Sequence, residues 1–397
     1  MDALIQKSNL KVSQTDLRFT RYLYNQLPWT QRMIGLFGAR GTGKTTILLQ
    51  YIKAHYGYNP KALYVSLDDL YFSENSLYDL AKTFYNRGGT NLFLDEVHKY
   101  PHWSQELKNL YDDFKDLQIV FTGSSIIEIN KQQSDLSRRA LYFELHGLSF
   151  REYLAIKQIM DKPALTLKQL LEDHQSIALE WVSDWKPLEH FNNYLRYGYY
   201  PVFMEDSASY YQRIEQIMNL IIENDLNFIE GYHIRNAIKI KQLLYILSVN
   251  VPFMPNIQKL AEKMGIARNT LMHYLFYLEK AKMVHSLYPT GKSISILQKP
   301  EKIYLHNTNL AYVLSPENIN AGTLRETFFL NQVSAFHEVN AADRGDFMVD
   351  NHYIFEIGGK NKTNQQVQEI ENAFVVKDDM VNGFGNKIPL WMFGFLY

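Results

Sequence analysis

The segment Gly38–Thr46, GARGTGKTT, has the residue types and spacing of a loop that binds phosphate. It satisfies the pattern GxxxxGK[ST], it follows the apolar run Met33–Phe37, and residues 47–54 after it have the periodicity of an amphipathic helix. Glycines let backbone N–H groups turn toward a phosphate, and the positive end of the helix faces the same anion. The residues expected at the phosphates are Gly38, Ala39, Arg40, Gly41, Thr42, Gly43, Lys44, Thr45 and Thr46.

Two side chains of this loop have distinct expected roles. Lys44 should reach the β- and γ-phosphates of a nucleoside triphosphate as a point charge, which gives it a part in catalysis as well as in binding. The Thr45 hydroxyl should complete the coordination shell of a Mg²⁺ ion that otherwise keeps mostly water ligands. The loop therefore predicts a triphosphate and Mg²⁺ as cofactors.

Two adjacent carboxylates, Asp95 and Glu96, end the short apolar strand pattern NLFLDE at residues 91–96. Open α/β sheets bind ligands at the carboxyl ends of their strands. Asp95 suits the water shell of Mg²⁺, and Glu96 suits polarising the water that attacks the γ-phosphate. A Glu directly after the metal Asp favours hydrolysis over use as a small-molecule kinase.

Small polar residues follow another apolar strand pattern, QIVFT at residues 118–122. Such a residue can hydrogen-bond the γ-phosphate or the attacking water, and Ser124 is the first choice for this sensor role, with Thr122 the second. Either side chain could instead cap the helix expected to begin near residue 126.

A pair of arginines, Arg138 and Arg139, precedes the last strand pattern, residues 141–145. An arginine here could supply positive charge to the transition state, in cis or from a neighbouring subunit. It could equally be a solvated surface residue. We assign the catalytic role to Arg139, and which of the two arginines acts stays open.

The order of these motifs resembles a group of bacterial and archaeal AAA-type P-loop ATPases that are related to the STAND NTPases. The resemblance is carried by GARGTGKTT, LFLDEVHKYPHW, FTGSS, SRRA and LHGLSFREYL, and it continues through YGYYP at residues 197–201. Arg138 stands where the family usually has Gly, which leaves Arg139 on the family Arg, and His98 stands where Gln is commoner. The resemblance implies ATP as the nucleotide.

The elements that position these residues define an α/β fold. The apolar runs are those of a parallel-sheet P-loop NTPase core of the ASCE/AAA type. From residue 149 to about 231 the periodicity is helical, which resembles the lid that follows the core in AAA-type proteins and tilts with nucleotide state. Ordinary helical packing is the alternative.

Residues 256–280 have the pattern of a helix-turn-helix, with a small Ala261 at the crossing and Gly265 at the turn. The stretch 284–297 suits a two-stranded wing with its tip at residues 289–291. On DNA, polar side chains of the second helix could read bases while lysines neutralise phosphates. The alternative is an interdomain spacer or a protein docking module. The candidate DNA-binding residues are Arg268, Asn269, His273 and Lys292.

The C-terminal region resembles the PD-(D/E)xK nuclease fold, in which carboxylates hold Mg²⁺ and a Lys positions the water. Gly358 stands two residues after Glu356, where the motif requires Lys, so nuclease activity is not expected. The residues of this vestigial site are Glu326, Asp346, Glu356 and Lys360.

Composition describes a water-soluble globular protein. The 397 residues are 46% hydrophobic and 21% charged, with a net charge of -1 and no cysteine, which excludes disulfides, thiolate zinc sites and a cysteine nucleophile. No segment resembles a signal peptide or a run of about eighteen apolar residues, so we expect a cytoplasmic protein without membrane contact.

These observations predict four domains: a P-loop ATPase core at residues 1–148, a helical lid at 149–235, a winged helix-turn-helix at 236–300 and a PD-(D/E)xK-like α/β domain at 301–397. The first functional hypothesis is a Mg²⁺-dependent ATPase whose nucleotide state repositions the lid and the winged helix, with double-stranded DNA as a candidate partner. The second is a nucleotide-gated protein-interaction switch with little turnover. The third is an ATP-dependent nuclease.

Overall fold

The computed structural model describes residues 1–125, 136–183, 185–206, 208–228, 232–290, 299–359 and 370–397. The chain folds into two compact units. Unit 1 contains residues 1–146 and 224–232, and unit 2 contains residues 147–223 and 233–397. No helix in the described part of the chain is long and apolar enough to cross a membrane.

Unit 1 is built on a sheet of five parallel strands. The strands are β1 (Met33–Phe37), β2 (Ala62–Ser66), β3 (Asn91–Asp95), β4 (Gln118–Thr122) and β5 (Leu141–Glu144). Their order in the sheet is β2-β3-β4-β1-β5, so β4 separates the strand before the glycine loop from the strand that ends in the two acids. The predicted fold class, an α/β P-loop core with a parallel sheet, is confirmed.

Helices cover both faces of this sheet. They are α1 (Asp2–Gln14), α2 (Lys44–His55), α3 (Leu77–Asn86) and α4 (Trp103–Asp113). Side chains alternate along a strand, so β1 places Ile34 and Leu36 in the apolar cluster with α2, and Met33 and Phe37 in the cluster with α3 and α4. All residues of β1 and β3 are buried, and so are four of the five residues of β4. This is expected for a parallel sheet with two covered faces.

The N-terminal helix α1 packs beside β2, the edge strand of the sheet. The Ser8 hydroxyl accepts a hydrogen bond of 3.1 Å from the Tyr64 backbone N–H of β2. An uncovered edge strand presents unpaired backbone groups that invite pairing with another chain. Helix α1 thus protects an edge and fixes the strand that carries Tyr64.

Unit 2 begins with four helices. These are α5 (Phe150–Ile156), α6 (Leu167–Trp181), α7 (Pro187–Tyr197) and α8 (Tyr210–Glu223). Capping boxes define two of their starts, Ser149 with Glu152 and Thr166 with Gln169, in which a hydroxyl and a carboxylate or amide satisfy backbone N–H groups that have no helical partner. Local sequence signals therefore account for these helix starts.

The helix-turn-helix pattern forms two packed helices, α10 and α11, which follow α9. The three helices and two short strands are α9 (Ala237–Val249), α10 (Ile257–Met264), α11 (Arg268–Lys280), β6 (Val284–Leu287) and β7 (Lys302–Leu305). Gly265 ends α10 in a left-handed conformation with φ 63°, which suits glycine. Strand β6 pairs antiparallel with β7, which falls in the predicted last domain. Residues 291–297 of the expected wing lie outside the described residues.

A second five-stranded sheet, of mixed direction, follows two more helices. These elements are α12 (Thr308–Leu314), α13 (Ala321–Val333), β8 (Val339–Ala341), β9 (Phe347–Val349), β10 (Tyr353–Gly358), β11 (Ala373–Lys377) and β12 (Lys387–Pro389). The order is β12-β11-β10-β9-β8, with β10, β11 and β12 parallel and the β8-β9-β10 pairs antiparallel. Helix α13 packs beside β10.

A buried amide joins the helices of unit 2 across the predicted domain boundaries. The fully buried Asn309 of α12 accepts hydrogen bonds from the Tyr199 backbone N–H at 2.9 Å and the Tyr210 hydroxyl at 2.6 Å. Its amide donates to the Leu195 carbonyl at 2.9 Å. Because a buried amide is expensive to leave unpaired, this network fixes α7 and α8 against α12. The four-domain division remains a proposal, and packing within unit 2 crosses its boundaries at 235 and 300.

Candidate functional site: a phosphate loop, two acids and a buried histidine

The glycine loop lies between β1 and α2, and its conformation depends on glycine at named positions. Gly38 has φ 151°, and a Cβ atom there would lie 2.3 Å from the Leu145 carbonyl oxygen. Gly41 and Gly43 have φ 81° and 97°, in the left-handed region that side chains disfavour. The pattern GxxxxGK[ST] is therefore a requirement of this backbone as well as of a ligand.

The N-terminus of α2 is ready to receive an anion. The helix begins at Lys44, and its cap residue, Gly43, has no side chain that could satisfy the first backbone N–H groups. The Lys44 ammonium is buried and donates to the Gly38 and Ala39 carbonyls at 2.9 Å each, which uses two of its three N–H groups. Burial lowers the pKa of Lys44, and the neighbouring Glu96 opposes that shift. These groups fit a triphosphate.

Three hydroxyl groups converge on the Asp95 carboxylate. Thr45 and Tyr64 each donate to Oδ2 at 2.7 Å, and Thr122 donates to Oδ1. The hydroxyls come from α2, β2 and β4, so three elements fix one carboxylate. The Thr45–Asp95 pair is the donor set that Mg²⁺ uses when it is held by few protein oxygens and several waters, and these residues would hold the ion.

The neighbouring Glu96 sits in a constrained and largely buried position. Its backbone has φ 56°, in the left-handed region, and its N–H donates to the Thr122 hydroxyl at 3.2 Å. Burial raises the pKa of the Glu96 carboxyl above its ordinary value of 4.5, with Lys44 opposing the shift. Uncommon backbone conformations in non-glycine residues persist where the surrounding structure holds them, and active sites are common places for them.

His98 links Glu96 to the segment after β4. Its Nε2 atom lies 3.3 Å from Oε2 of Glu96, and its Nδ1 atom accepts the Ser124 backbone N–H at 3.4 Å. Burial lowers the pKa of His98 to about 3, so the imidazole is neutral at physiological pH. A neutral ring whose Nδ1 accepts must carry its proton on Nε2, which faces Glu96. The imidazole of His98 thus lies beside the predicted base.

The two expected sensor residues contact different groups of the site. The Thr122 hydroxyl donates to Asp95 and accepts a hydrogen bond from the Glu96 backbone N–H. Ser124 donates its backbone N–H to His98. Ser125 donates its N–H to the Gly38 carbonyl at 3.2 Å, and its buried hydroxyl has no hydrogen-bond partner among the described residues. The end of β4 is therefore in contact with both the loop and the acids.

The arginine pair before β5 is on the outside of unit 1. Arg139 donates to both oxygens of Asp112, at 3.0 and 2.8 Å, and Arg138 is exposed. The ion pair that the structure describes for Arg139 is thus with the end of α4. A role for Arg139 in catalysis stays a prediction.

Two charged residues that the sequence analysis did not single out support the loop. Arg21, 5% exposed, donates to the Thr42 carbonyl and, at 2.7 Å, to the His146 carbonyl. Asp225, two residues beyond α8, is buried against Arg40 and Lys99. No local pattern marks either residue, because each acts through partners more than 20 residues away in the chain.

The candidate residues of unit 2 have a different environment. Arg268, Asn269 and His273 are exposed on α11, whereas Lys292 lies outside the described residues. These three polar side chains lie outside the buried core of the helix pair.

The acids of the vestigial nuclease site do not form a metal cluster. Glu326 accepts from the Tyr304 hydroxyl at 2.7 Å, Asp346 accepts from the Ile357 backbone N–H at 2.7 Å, and Glu356 is fully buried. Lys360 lies outside the described residues. Among the described residues, no group of three or more His, Asp or Glu side chains is arranged to hold a metal ion.

Comparisons with known proteins agree with the geometry of unit 1. Residues 30–154 match the family described as AAA domain, and residues 188–320 match a domain of unknown function, DUF8612. "Uncharacterized protein MJ1637" of Methanocaldococcus jannaschii is 31% identical over 287 residues, which cover 69% of this chain and 60% of that relative. The chain therefore aligns with less than two thirds of the relative's length.

Solved structures similar to this chain include the ORC1 protein of Aeropyrum pernix in complex with DNA and AMPPCP-bound DnaA from Aquifex aeolicus. The first is 12% identical with a TM-score of 0.31, over 80% of this chain and 92% of that chain. The second is 15% identical with a TM-score of 0.28, over 66% and 85%. Because these TM-scores are low, the fold assignment depends on the strand order, the loop and the family match. Together these show that unit 1 has a P-loop α/β fold and that residues 30–154 of the chain match an AAA domain.

Proposed function

We propose that the protein binds Mg²⁺·ATP in unit 1 and hydrolyses it to ADP and phosphate. The observation that carries this proposal is the convergence of three features at one edge of the sheet. The buried Lys44 ammonium lies at the helix N-terminus, the Thr45 hydroxyl contacts Asp95, and Glu96 is held beside them. Phosphoryl transfer depends mainly on positioning and on electrostatic stabilisation, and this arrangement can supply both.

Each residue has a definite task in this proposal. Lys44 and the first N–H groups of α2 bind the phosphates, and Thr45 and Asp95 hold Mg²⁺, which supplies charge stabilisation when bound. Glu96 accepts a proton from the attacking water, and the neutral imidazole of His98 lies beside its carboxylate. Ser124 or Thr122 contacts the γ-phosphate or the water, and Arg139 supplies positive charge to the transition state, in cis or from a neighbouring subunit.

The test separates binding from chemistry. Glu96→Gln should bind Mg²⁺·ATP as wild type does but release phosphate about 100-fold more slowly or worse, since a positioned base contributes roughly 10²–10⁴-fold. Glu74→Gln, the same substitution at an exposed position of unit 1, is the matched control. Unchanged turnover in Glu96→Gln would remove the assignment of the base, and absence of ATP binding to wild-type protein by calorimetry would remove the whole proposal.

We propose further that nucleotide state repositions the helical region and the helix-turn-helix of unit 2, which contacts double-stranded DNA. Support comes from α11, the second helix of the pair, where Arg268, Asn269 and His273 are exposed together. Arg268→Ala should weaken binding to duplex DNA and reduce its salt dependence, whereas Lys168→Ala, another exposed cation of unit 2, should not. Equal affinities for wild type and Arg268→Ala would contradict a DNA-reading role.

One observation favours a second candidate, a nucleotide-gated interaction switch with little turnover. The predicted base lies against a neutral histidine, with Oε2 of Glu96 3.3 Å from Nε2 of His98. A switch should bind ATP tightly, hydrolyse it slowly with or without duplex DNA, and capture a protein partner in the ATP state. DNA-stimulated hydrolysis that falls steeply with salt supports the first candidate instead.

A further inference from the structure

A buried carboxylate outside the described catalytic set is bonded to two cations near the phosphate site. Asp225 is 1% exposed, and its oxygens lie 3.1 and 3.2 Å from Nη1 of Arg40 and 3.0 Å from Nζ of Lys99. Arg40 belongs to the glycine loop, and Lys99 lies three residues after Glu96. One acid thus connects the loop that binds phosphate to the segment that carries the base.

The position of Asp225 matters because its charge reaches the catalytic groups. Its carboxylate acts electrostatically on both Lys44 and Glu96, and Arg40 acts on the same two groups. The two cations are only partly covered, with side-chain exposures of 30% for Arg40 and 20% for Lys99, whereas the acid between them is covered. An incoming anion can therefore approach the cations but not the acid.

A carboxylate and a phosphate can each bind the two cations Arg40 and Lys99. Guanidinium and ammonium groups bind both with charge-assisted hydrogen bonds, and phosphate offers more charge and more acceptor oxygens. We propose that Asp225 occupies the cation pair Arg40–Lys99 in place of the terminal phosphate of a nucleoside triphosphate, and that ATP displaces it. This inference rests on the proposed ATP binding in unit 1.

The displacement gives the protein a way to tell ATP from ADP. ADP lacks the terminal phosphate, so Asp225 keeps both cations, whereas ATP brings negative charge next to a carboxylate that has lost its partners. Asp225 lies two residues after the end of α8, so its release changes the tether of a helix that belongs to unit 2. The acid therefore acts as a positioning residue that reports the terminal phosphate to the helical region.

Affinity measurements test the competition directly. Asp225→Asn keeps the shape of the side chain and removes the competing negative charge. We therefore expect Mg²⁺·ATP to bind about tenfold more tightly, which is within the usual range of coupling between two binding events. The ADP affinity should change by less than about twofold, because ADP does not displace Asp225. The control is Asp69→Asn, which removes one negative charge from the ion pair with Lys7 and should leave both affinities unchanged. An unchanged ratio of ATP to ADP affinity, or weaker ATP binding, in Asp225→Asn overturns the proposal.

A second measurement needs no variant, so it stands even if Asp225→Asn does not fold. Hydrogen exchange of residues 224–228 in wild-type protein should be faster with Mg²⁺ and a non-hydrolysable ATP analogue than with Mg²⁺·ADP. Equal exchange in the two states, with both nucleotides bound, overturns the displacement of Asp225. Failure of wild-type protein to bind either nucleotide would instead refute the proposed function.

Discussion

The molecule contains two groups of acids, one in each unit, and their surroundings differ. In unit 1, Asp95 receives three hydroxyls from three elements, and Glu96 stands beside a buried ammonium and a buried imidazole. In unit 2, Glu326 and Asp346 each accept a hydrogen bond from a nearby tyrosine or backbone N–H. Residue type alone would make the two groups equivalent.

The difference shows what makes acids a site. A carboxylate can do chemistry when neighbours fix its position and leave room for a ligand, and when cations nearby share that ligand. Unit 1 meets these conditions at a helix N-terminus. The unit 2 acids Glu326 and Asp346 are hydrogen-bonded to groups of their own unit, and the described residues of that unit contain no cluster arranged to hold a metal ion.

The largest effect is expected on ATP binding, when a buried lysine of each unit is replaced by alanine. Lys44→Ala should weaken Mg²⁺·ATP binding by about 100-fold or more, because removing one partner of a buried charge pair costs roughly 2–5 kcal/mol. Lys377→Ala, at a lysine of β11 that is 9% exposed where Lys44 is 6% exposed, should leave ATP binding unchanged. Calorimetric titration of both variants measures the contrast. Loss of ATP binding in Lys377→Ala would contradict the prediction that only the lysine of unit 1 binds the nucleotide.

The second test compares the aspartates. Asp95→Asn should raise the Mg²⁺ concentration needed for half-maximal phosphate release about 10- to 100-fold, the usual effect of losing a group that acts on a metal through its shell. Asp346→Asn should not change it, because its carboxylate is committed to the Ile357 N–H. Metal-dependent DNA cutting by wild-type protein that Asp346→Asn abolishes would show that the unit 2 acids form a working site.

Much of unit 1 could be predicted because its signals are local. The apolar runs at residues 33–37, 91–96, 118–122 and 141–145 predicted four of the five strands, and the glycine loop predicted the helix that follows the first of them. A buried strand in a parallel sheet needs a continuous apolar run, and a helix in this layer needs an apolar stripe. Both are visible in a single sequence.

Other features depend on contacts between distant residues and gave no local signal. Tyr64 has the pattern of a core aromatic in a strand, yet its hydroxyl reaches Asp95. Asp225 lies in a segment that looks like the end of a helical region, yet it returns to unit 1. Strand β6 pairs with β7, which lies beyond the predicted wing in the sequence. Tertiary packing decides each case.

A pH profile tests the comparison further, because burial raises the pKa of the Glu96 carboxyl. A base works only when deprotonated, so turnover should fall as pH drops through a pKa that burial places above 4.5. Lys44, Asp95, Arg40 and Asp225 also act on Glu96, and His98, with a pKa of about 3, does not titrate in that range. Phosphate release measured from pH 5 to 8 should lose this acidic limb in the residual activity of Glu96→Gln. A limb retained in that variant would point to another group.

The smallest expected effect compares two tyrosines that each donate a hydrogen bond of 2.7 Å to a carboxylate, Tyr64 to Asp95 and Tyr304 to Glu326. Burial, followed by the adjacent carboxylate, raises the pKa of both hydroxyls, so both stay protonated donors. Tyr64→Phe and Tyr304→Phe should each lower stability by about 1–2 kcal/mol. Only Tyr64→Phe should also raise the Mg²⁺ requirement for turnover, roughly threefold, because only Asp95 serves a metal. Equal Mg²⁺ requirements in the two variants would mean that the hydroxyls around Asp95 stabilise the fold and do not position the metal ligand.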